Sequence, residues 1–167
     1  HVLASGIQDI TDTLVAEFSL SDVLRIIVET MYRAMRFSRV VLFMRDPQAP
    51  VMTARHGYGA GIERILGAVK VPLARSQDVF AVIMEKNVDV LVSDVGSATI
   101  RTRIPDWFQK SGFGETFVAL PVVIDGKPIG MFYGEKPQAG SLVIAPREMN
   151  LLKTLRNQAV LAIKQRR

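Results

Sequence analysis

Cysteine is absent from the 167 residues, which excludes a disulfide framework, a thiolate nucleophile and a thiolate metal site. Histidine is nearly as scarce: His1 opens the chain and His56 is the other. A zinc centre needs more ligands than these supply. A lone histidine at a strand end reads as a surface or structural residue rather than a haem ligand. Gly-x-Ser-x-Gly is missing, so there is no nucleophile elbow for a Ser-His-Asp hydrolase. The acidic residues are scattered, and no pair of carboxylates is marked for acid and base roles. Long apolar runs are missing too. Segments such as Val40 to Met44 fall far short of the roughly 18 to 20 residues that span a bilayer, and the N-terminus lacks the basic flank and apolar stretch of a secretory signal. Together these absences point to a cytoplasmic, non-catalytic chain with no membrane segment and no metal.

What is present fits one globular domain over residues 1–167, since 49% of the residues are hydrophobic and 22% charged, enough to bury a core. The formal net charge of +5 raises nucleic acid as a partner, but the basic residues are spread out. Arg33, Arg36 and Arg39 follow one helix, Arg101 and Arg103 sit in a loop, and Lys164, Arg166 and Arg167 close the chain. Nucleic-acid modules concentrate their charge on one face beside a recognition motif. The tail instead reads as cations at a helix C-terminus, and no nucleic-acid partner is expected.

The apolar spacing predicts the elements. Leu3, Ile7, Ile10 and Leu14 follow a helical seam, and Ser21-Asp22 is expected to cap a second helix whose apolar face is Leu24, Ile27, Val28, Met31 and Met35. Strands are expected over Val40–Arg45 and Val51–His56, joined by a turn with two prolines. Gly57-Tyr58-Gly59-Ala60-Gly61 lacks the third glycine of a dinucleotide fingerprint and the Gly-Lys-Ser/Thr of a P-loop, so it reads as a mobile turn into a strand over Ala68–Leu73. Ser76 and Asp78 open a helix that Asn87 ends, followed by a strand over Val88–Val92. Ile104, Trp107 and Phe108 share one side of a short helix. Asp125-Gly126 supplies the positive φ of a two-residue hairpin turn between apolar runs. Pro146 suits the first position of the last helix, whose seam is Leu152, Leu155, Ala159 and Ala162.

The hairpin Leu120-Pro121-Val122-Val123, Asp125-Gly126 and Pro128-Ile129-Gly130-Met131-Phe132-Tyr133-Gly134 resembles the closing hairpin of a GAF domain. Ser21-Asp22-Val23-Leu24, Val71-Pro72-Leu73, Val90-Leu91-Val92-Ser93-Asp94 and Leu120-Pro121-Val122 extend the resemblance in order along most of the chain. A PAS-type fold, the alternative, would place its helices between the second and third strands. The resemblance implies an α+β, GAF/PAS-like fold. Its central antiparallel sheet of about six strands carries the N- and C-terminal helices on one face and a helix-and-loop pocket cover on the other. It also implies a regulatory or sensory domain of a bacterial-type signalling protein, excised from a larger multidomain protein whose attached effector domain is missing from this sequence.

Members that attach a bilin, and the free methionine sulfoxide reductases of this family, use cysteine, which this chain lacks. The Asn-Lys, Phe and Asp-Glu set of cyclic-nucleotide-binding members is not found in order, and the cofactor is unknown. Residues 94–113 would cover the pocket, with Trp107 or Phe108 stacking on a small-molecule ligand, Arg101 or Arg103 attracting an anionic group, and Asp94 accepting hydrogen bonds. Phe43 and Phe80 would line the same cavity. The opposing reading is that the aromatics plug the core and the arginines face water, which leaves a ligand-free interaction module with a self-filled pocket. Both readings expect a homodimer built on Leu3, Ile7, Ile10 and Leu14 and on Leu152, Leu155, Ala159 and Ala162.

Overall fold

The computed structural model describes residues 2–15, 19–73 and 77–166, except the side chains of residue 3 and residues 11–15. Two helices open the chain, α1 (Val2–Val15) and α2 (Leu20–Met35). The cap of α2 is Ser19 rather than the expected Ser21: its hydroxyl accepts the Asp22 N–H and donates to the Asp22 carboxylate, satisfying an orphan donor of the first turn. The helix stops at Arg36, which adopts a left-handed conformation with φ 54°. Strands β1 (Arg39–Arg45) and β2 (Val51–Gly59) form a hairpin. Gly57 and Gly59, expected in a mobile turn, belong to β2 and pair with Val41 and Arg39. A 3-10 turn (Ile62–Arg64), β3 (Lys70–Pro72), α3 (Val79–Lys86) and β4 (Val90–Val92) follow. Asp78 caps α3 through the Ala81 N–H, and left-handed Asn87 ends it, both as the sequence implied, while Ser76 lies outside the described residues. The short α4 (Asp106–Lys110) precedes the hairpin of β5 (Thr116–Ile124) and β6 (Lys127–Lys136), whose turn residues Asp125 and Gly126 have φ of 51° and 78°. Pro146 opens α5 (Pro146–Gln165), and the Glu148 carboxylate reaches back to the Ala145 N–H at 2.9 Å.

The strands form one six-stranded antiparallel sheet in the order β3-β2-β1-β6-β5-β4. Helix α3 lies between the third and fourth strands, which matches the GAF plan and not the PAS one. Alternation along the strands divides the core into two layers. Val40, Leu42, Val118, Leu120, Val122 and Phe132 pack against α1, α2 and α5. Val41, Phe43, Phe117, Ala119, Met131 and Tyr133 face α3 and α4 on the other side.

The described seam residues pack inward, into the chain's own core. Leu152, Leu155, Ala159 and Ala162 are at most 1% exposed, and Ile10 is fully buried, all within the chain's own helix-side core with Ile7 packed against it. Apolar area that closes the domain itself is not available to a second copy. The side chains of Leu3 and Leu14 lie outside the described residues. On this same face His56, paired with Leu42 in the ladder, is half-buried near Arg25 of α2.

Burial and then the positive charges of Arg25 and Arg55 hold the His56 pKa below 6.5. The unfolded chain therefore binds the extra proton first. Stability is fully present above 6.5 and falls as pH drops from that value toward the lower folded pKa. The urea midpoint is expected to decline over this acidic window, and His56→Gln to flatten the decline. An equally steep decline in His56→Gln would assign it to other groups.

Candidate functional site

The face opposite the terminal helices is closed by aromatic rings. Phe80 on α3 lies at the centre, 5.3 Å from Trp107, 5.7 Å from Phe108, 5.5 Å from Phe117 and 6.4 Å from Tyr133, measured between ring centroids. Phe43 meets Tyr133 edge-on at 6.3 Å. Phe113, just after α4, stacks on Phe108 at 5.2 Å and meets Tyr133 at 5.3 Å. Rings at such separations, tilted or edge-on, gain quadrupole attraction beyond their burial. Of the residues expected at a pocket, Phe43, Phe80, Trp107 and Phe108 are thus brought together. Trp107 keeps part of its surface exposed, yet its Nε1 is buried with no partner among the described residues.

The polar candidates are not brought in. The Asp94 carboxylate accepts the Gly96 N–H at 2.8 Å and shapes its own turn. Arg101 and Arg103 sit in an exposed 3-10 turn (Arg101–Arg103). Arg103 borders an open cleft of about 480 Å³ that it shares with Asp78 and Asp106, whose carboxylates work against anion binding.

A different polar group stands at the edge of the aromatic cluster. Arg39 begins β1 and Glu135 is the last residue but one of β6, and their antiparallel pairing places them side by side. Arg39 Nη2 meets Glu135 Oε2 at 2.9 Å, with the two side chains 11% and 5% exposed. The guanidinium also donates to the carbonyls of Ala60 at 3.0 Å and Gly112 at 2.8 Å, tying β1 to the chain after β2 and to the chain after α4. Glu135 Oε1 accepts the Tyr133 hydroxyl at 2.6 Å and the Gly114 N–H at 2.8 Å. Burial first, and then the Glu135 charge and hydrogen bond, push the Tyr133 pKa well above 10, so the phenol remains the donor at neutral pH. Arg39 Nε is left buried and unpartnered among the described residues. Its Cζ lies 5.2 Å over the Phe113 ring, within the range of a cation–π contact. Beside this group Arg39, Arg64, Ser111 and Gly112 border an open cleft of about 410 Å³.

Sequence reasoning missed Arg39, Phe113, Glu135 and Tyr133. The available signal was alternation: Met131, Tyr133 and Glu135 share one side of β6, so a carboxylate follows two inward positions and needs a buried partner. Among the described residues no group of three His, Cys, Asp or Glu could hold a metal, and no helix is long and apolar enough to cross a membrane.

No curated protein sequence matches the chain. Solved structures do. A GAF domain of a phosphoenolpyruvate-protein phosphotransferase from Acinetobacter is 19% identical with a TM-score of 0.78, covering 98% of this chain and 91% of its own. The GAF domain of the Coxiella burnetii phosphoenolpyruvate-protein phosphotransferase is 16% identical with a TM-score of 0.77, covering 98% and 93%. A free methionine-R-sulfoxide reductase from Neisseria meningitidis, solved with its substrate, is 15% identical with a TM-score of 0.72, covering 98% and 86%. At these identities the likeness is one of fold. The family's sequence profile, described as GAF domain, matches residues 19–163, and the chain belongs to the GAF domain family, whose members are generally regulatory or sensory domains of signalling proteins.

Proposed function

We propose that this GAF domain is a non-catalytic cytoplasmic sensor. It binds a small molecule on the aromatic face of the sheet and relays occupancy through α1 and α5 to an attached effector domain. The observation that carries this reading is the aromatic cluster walled by Trp107, whose buried N–H is unpaired among the described residues. The strands beneath it also touch the terminal helices: Val41 and Tyr133 face the cluster while Val40 and Phe132 face the helix-side core. A second link supports a relay. Arg156 of α5 pairs with Asp89, between α3 and β4, at 2.8 Å and donates to the Pro121 carbonyl at 3.0 Å. A ligand that favours one arrangement of α3 thereby biases α5 by its differential affinity for the two arrangements. Homodimerisation belongs to this reading, with the contact on helix surfaces other than the buried Leu152–Ala162 seam.

Native mass spectrometry of the purified domain tests the proposal by reading a co-purifying molecule and the oligomeric state together. Trp107→Ala is expected to abolish small-molecule binding and leave the dimer intact. Unchanged affinity in a folded variant removes Trp107 from the site. The second reading, a ligand-free interaction module, draws on the same rings, since Phe43, Phe80 and Phe108 are only 1% exposed and already fill the space under the cover. A clean apo dimer, with no stabilisation across a metabolite thermal-shift screen, selects that reading.

A further inference from the structure

The buried nitrogens without a partner among the described residues, Arg39 Nε and Trp107 Nε1, belong to side chains that flank the same ring. Arg39 Cζ, one bond from Nε, stands 5.2 Å over the Phe113 centroid, and Trp107 meets Phe113 edge-on at 5.9 Å. A phenyl ring fills space and presents a π face, but it has no lone pair to accept a hydrogen bond, and folded proteins rarely leave buried donors unmet. Phe113, like Trp107 and Arg39, is partly exposed, whereas Phe108 and Tyr133 beneath it are 1% exposed. Its backbone is pinned on both sides, at the Gly112 carbonyl by Arg39 and at the Gly114 N–H by Glu135. The side chain can therefore leave while the main chain stays.

We infer that Phe113 is a built-in plug, and that the place it fills accepts a small, flat, uncharged aromatic molecule bearing a hydrogen-bond acceptor, such as an aromatic amide or a ring carbonyl. This rests on the sensory reading above and specifies its ligand class and the side chain that gives way. Flatness follows from the surrounding rings: Phe108 stacks on Phe113 at 5.2 Å, and Tyr133 closes one edge at 5.3 Å. The acceptor follows from the unmet N–H groups. Neutrality follows from Glu135, which already pairs the Arg39 charge at 2.9 Å and would repel an incoming carboxylate across a poorly solvated gap.

The test compares wild type and Phe113→Ala for binding of benzamide, benzoate and toluene by calorimetry, with fluorescence of Trp107, the single tryptophan, as a local reporter. An aromatic-lined void of this kind takes up a small aromatic molecule. Phe113→Ala should bind benzamide roughly tenfold or more tightly than wild type, because no ring has to be displaced, and should prefer it over toluene, which cannot accept a hydrogen bond, and over benzoate. Adding Trp107→Phe, which keeps a ring and removes a donor, should narrow the benzamide-over-toluene preference. A folded Phe113→Ala that binds benzamide no better than wild type, or binds toluene or benzoate equally well, overturns the plug. If Phe113→Ala does not fold, Phe113→Leu is titrated instead, with the same direction expected and the same result refuting. A wild type that carries a cellular ligand while Phe113→Ala ignores benzamide overturns the plug alone. Benzamide uptake by Phe113→Ala beside a wild type blank in every ligand screen supports the plug and counts against sensing.

Discussion

Replacing Glu135 with alanine is expected to lower the unfolding free energy by about 3–5 kcal/mol, the usual cost of leaving one member of a buried ion pair without its partner. Arg39, now 11% exposed, would be left without its carboxylate, and the Tyr133 hydroxyl and the Gly114 N–H would lose their acceptor together. Tyr133→Phe removes only one hydrogen bond to the charged group and should cost about 1.5–3 kcal/mol. Because Tyr133 titrates well above 10, neither loss should vary between about pH 6 and 8 through the phenol. The pair's own contribution is isolated by a cycle of Arg39→Met, Glu135→Leu and the double variant. With both charges gone, the double variant should be more stable than the sum of the singles implies, by about 0.5–3 kcal/mol of coupling. Urea unfolding of all variants supplies the numbers. Additive effects would mean that Arg39 and Glu135 are solvated independently.

Elements whose cause is local could be read from the sequence. Asp125-Gly126 was legible because positive φ at both turn residues is a demand few residue types meet, and Pro146 because its missing N–H costs nothing at a helix start. The cap of α2 is ambiguous in the sequence because Ser19 and Ser21 both suit the position, and only the path of the chain into the helix selects the serine that receives the Asp22 N–H. Gly57 and Gly59 suggest a turn because glycine carries no side chain to show a period, whereas pairing with β1 holds both in β2. The seam of α5 reveals that the helix has one apolar side but not what covers it. Within the chain it is covered by the sheet and α2. At the site, Trp107 and Phe108 were visible through their helical spacing. Arg39 and Glu135 were not, since each sits at a strand end where a charge ordinarily faces water. Only the antiparallel register of β1 with β6 makes them neighbours.

Phe80→Ala should have the other large effect, also about 3–5 kcal/mol, because it removes a ring that is 1% exposed and leaves a cavity its neighbours cannot easily fill. Trp107, Phe108 and Phe117 all pack on Phe80, and they come from α4 and β5, whose backbones are held by separate hydrogen bonds, so collapse into the void is restricted. The loss should also be uneven across the molecule. Hydrogen exchange is expected to rise most in α3 and in residues 94–113, while α2, which packs in the aliphatic layer on the opposite face, keeps protection close to wild type. Helix α5 decides whether the two faces are mechanically joined. Its Arg156 holds Asp89 just beyond α3, so loosening α3 should speed exchange near Arg156 more than at the start of α5. Uniform exchange along α5, with α3 loosened, would remove that ion pair as a route between the aromatic face and the terminal helix. A stability loss below about 1 kcal/mol would instead mean that Phe80 does not anchor α3 to the sheet, since a buried phenylalanine truncated to alanine costs more than this wherever it is packed.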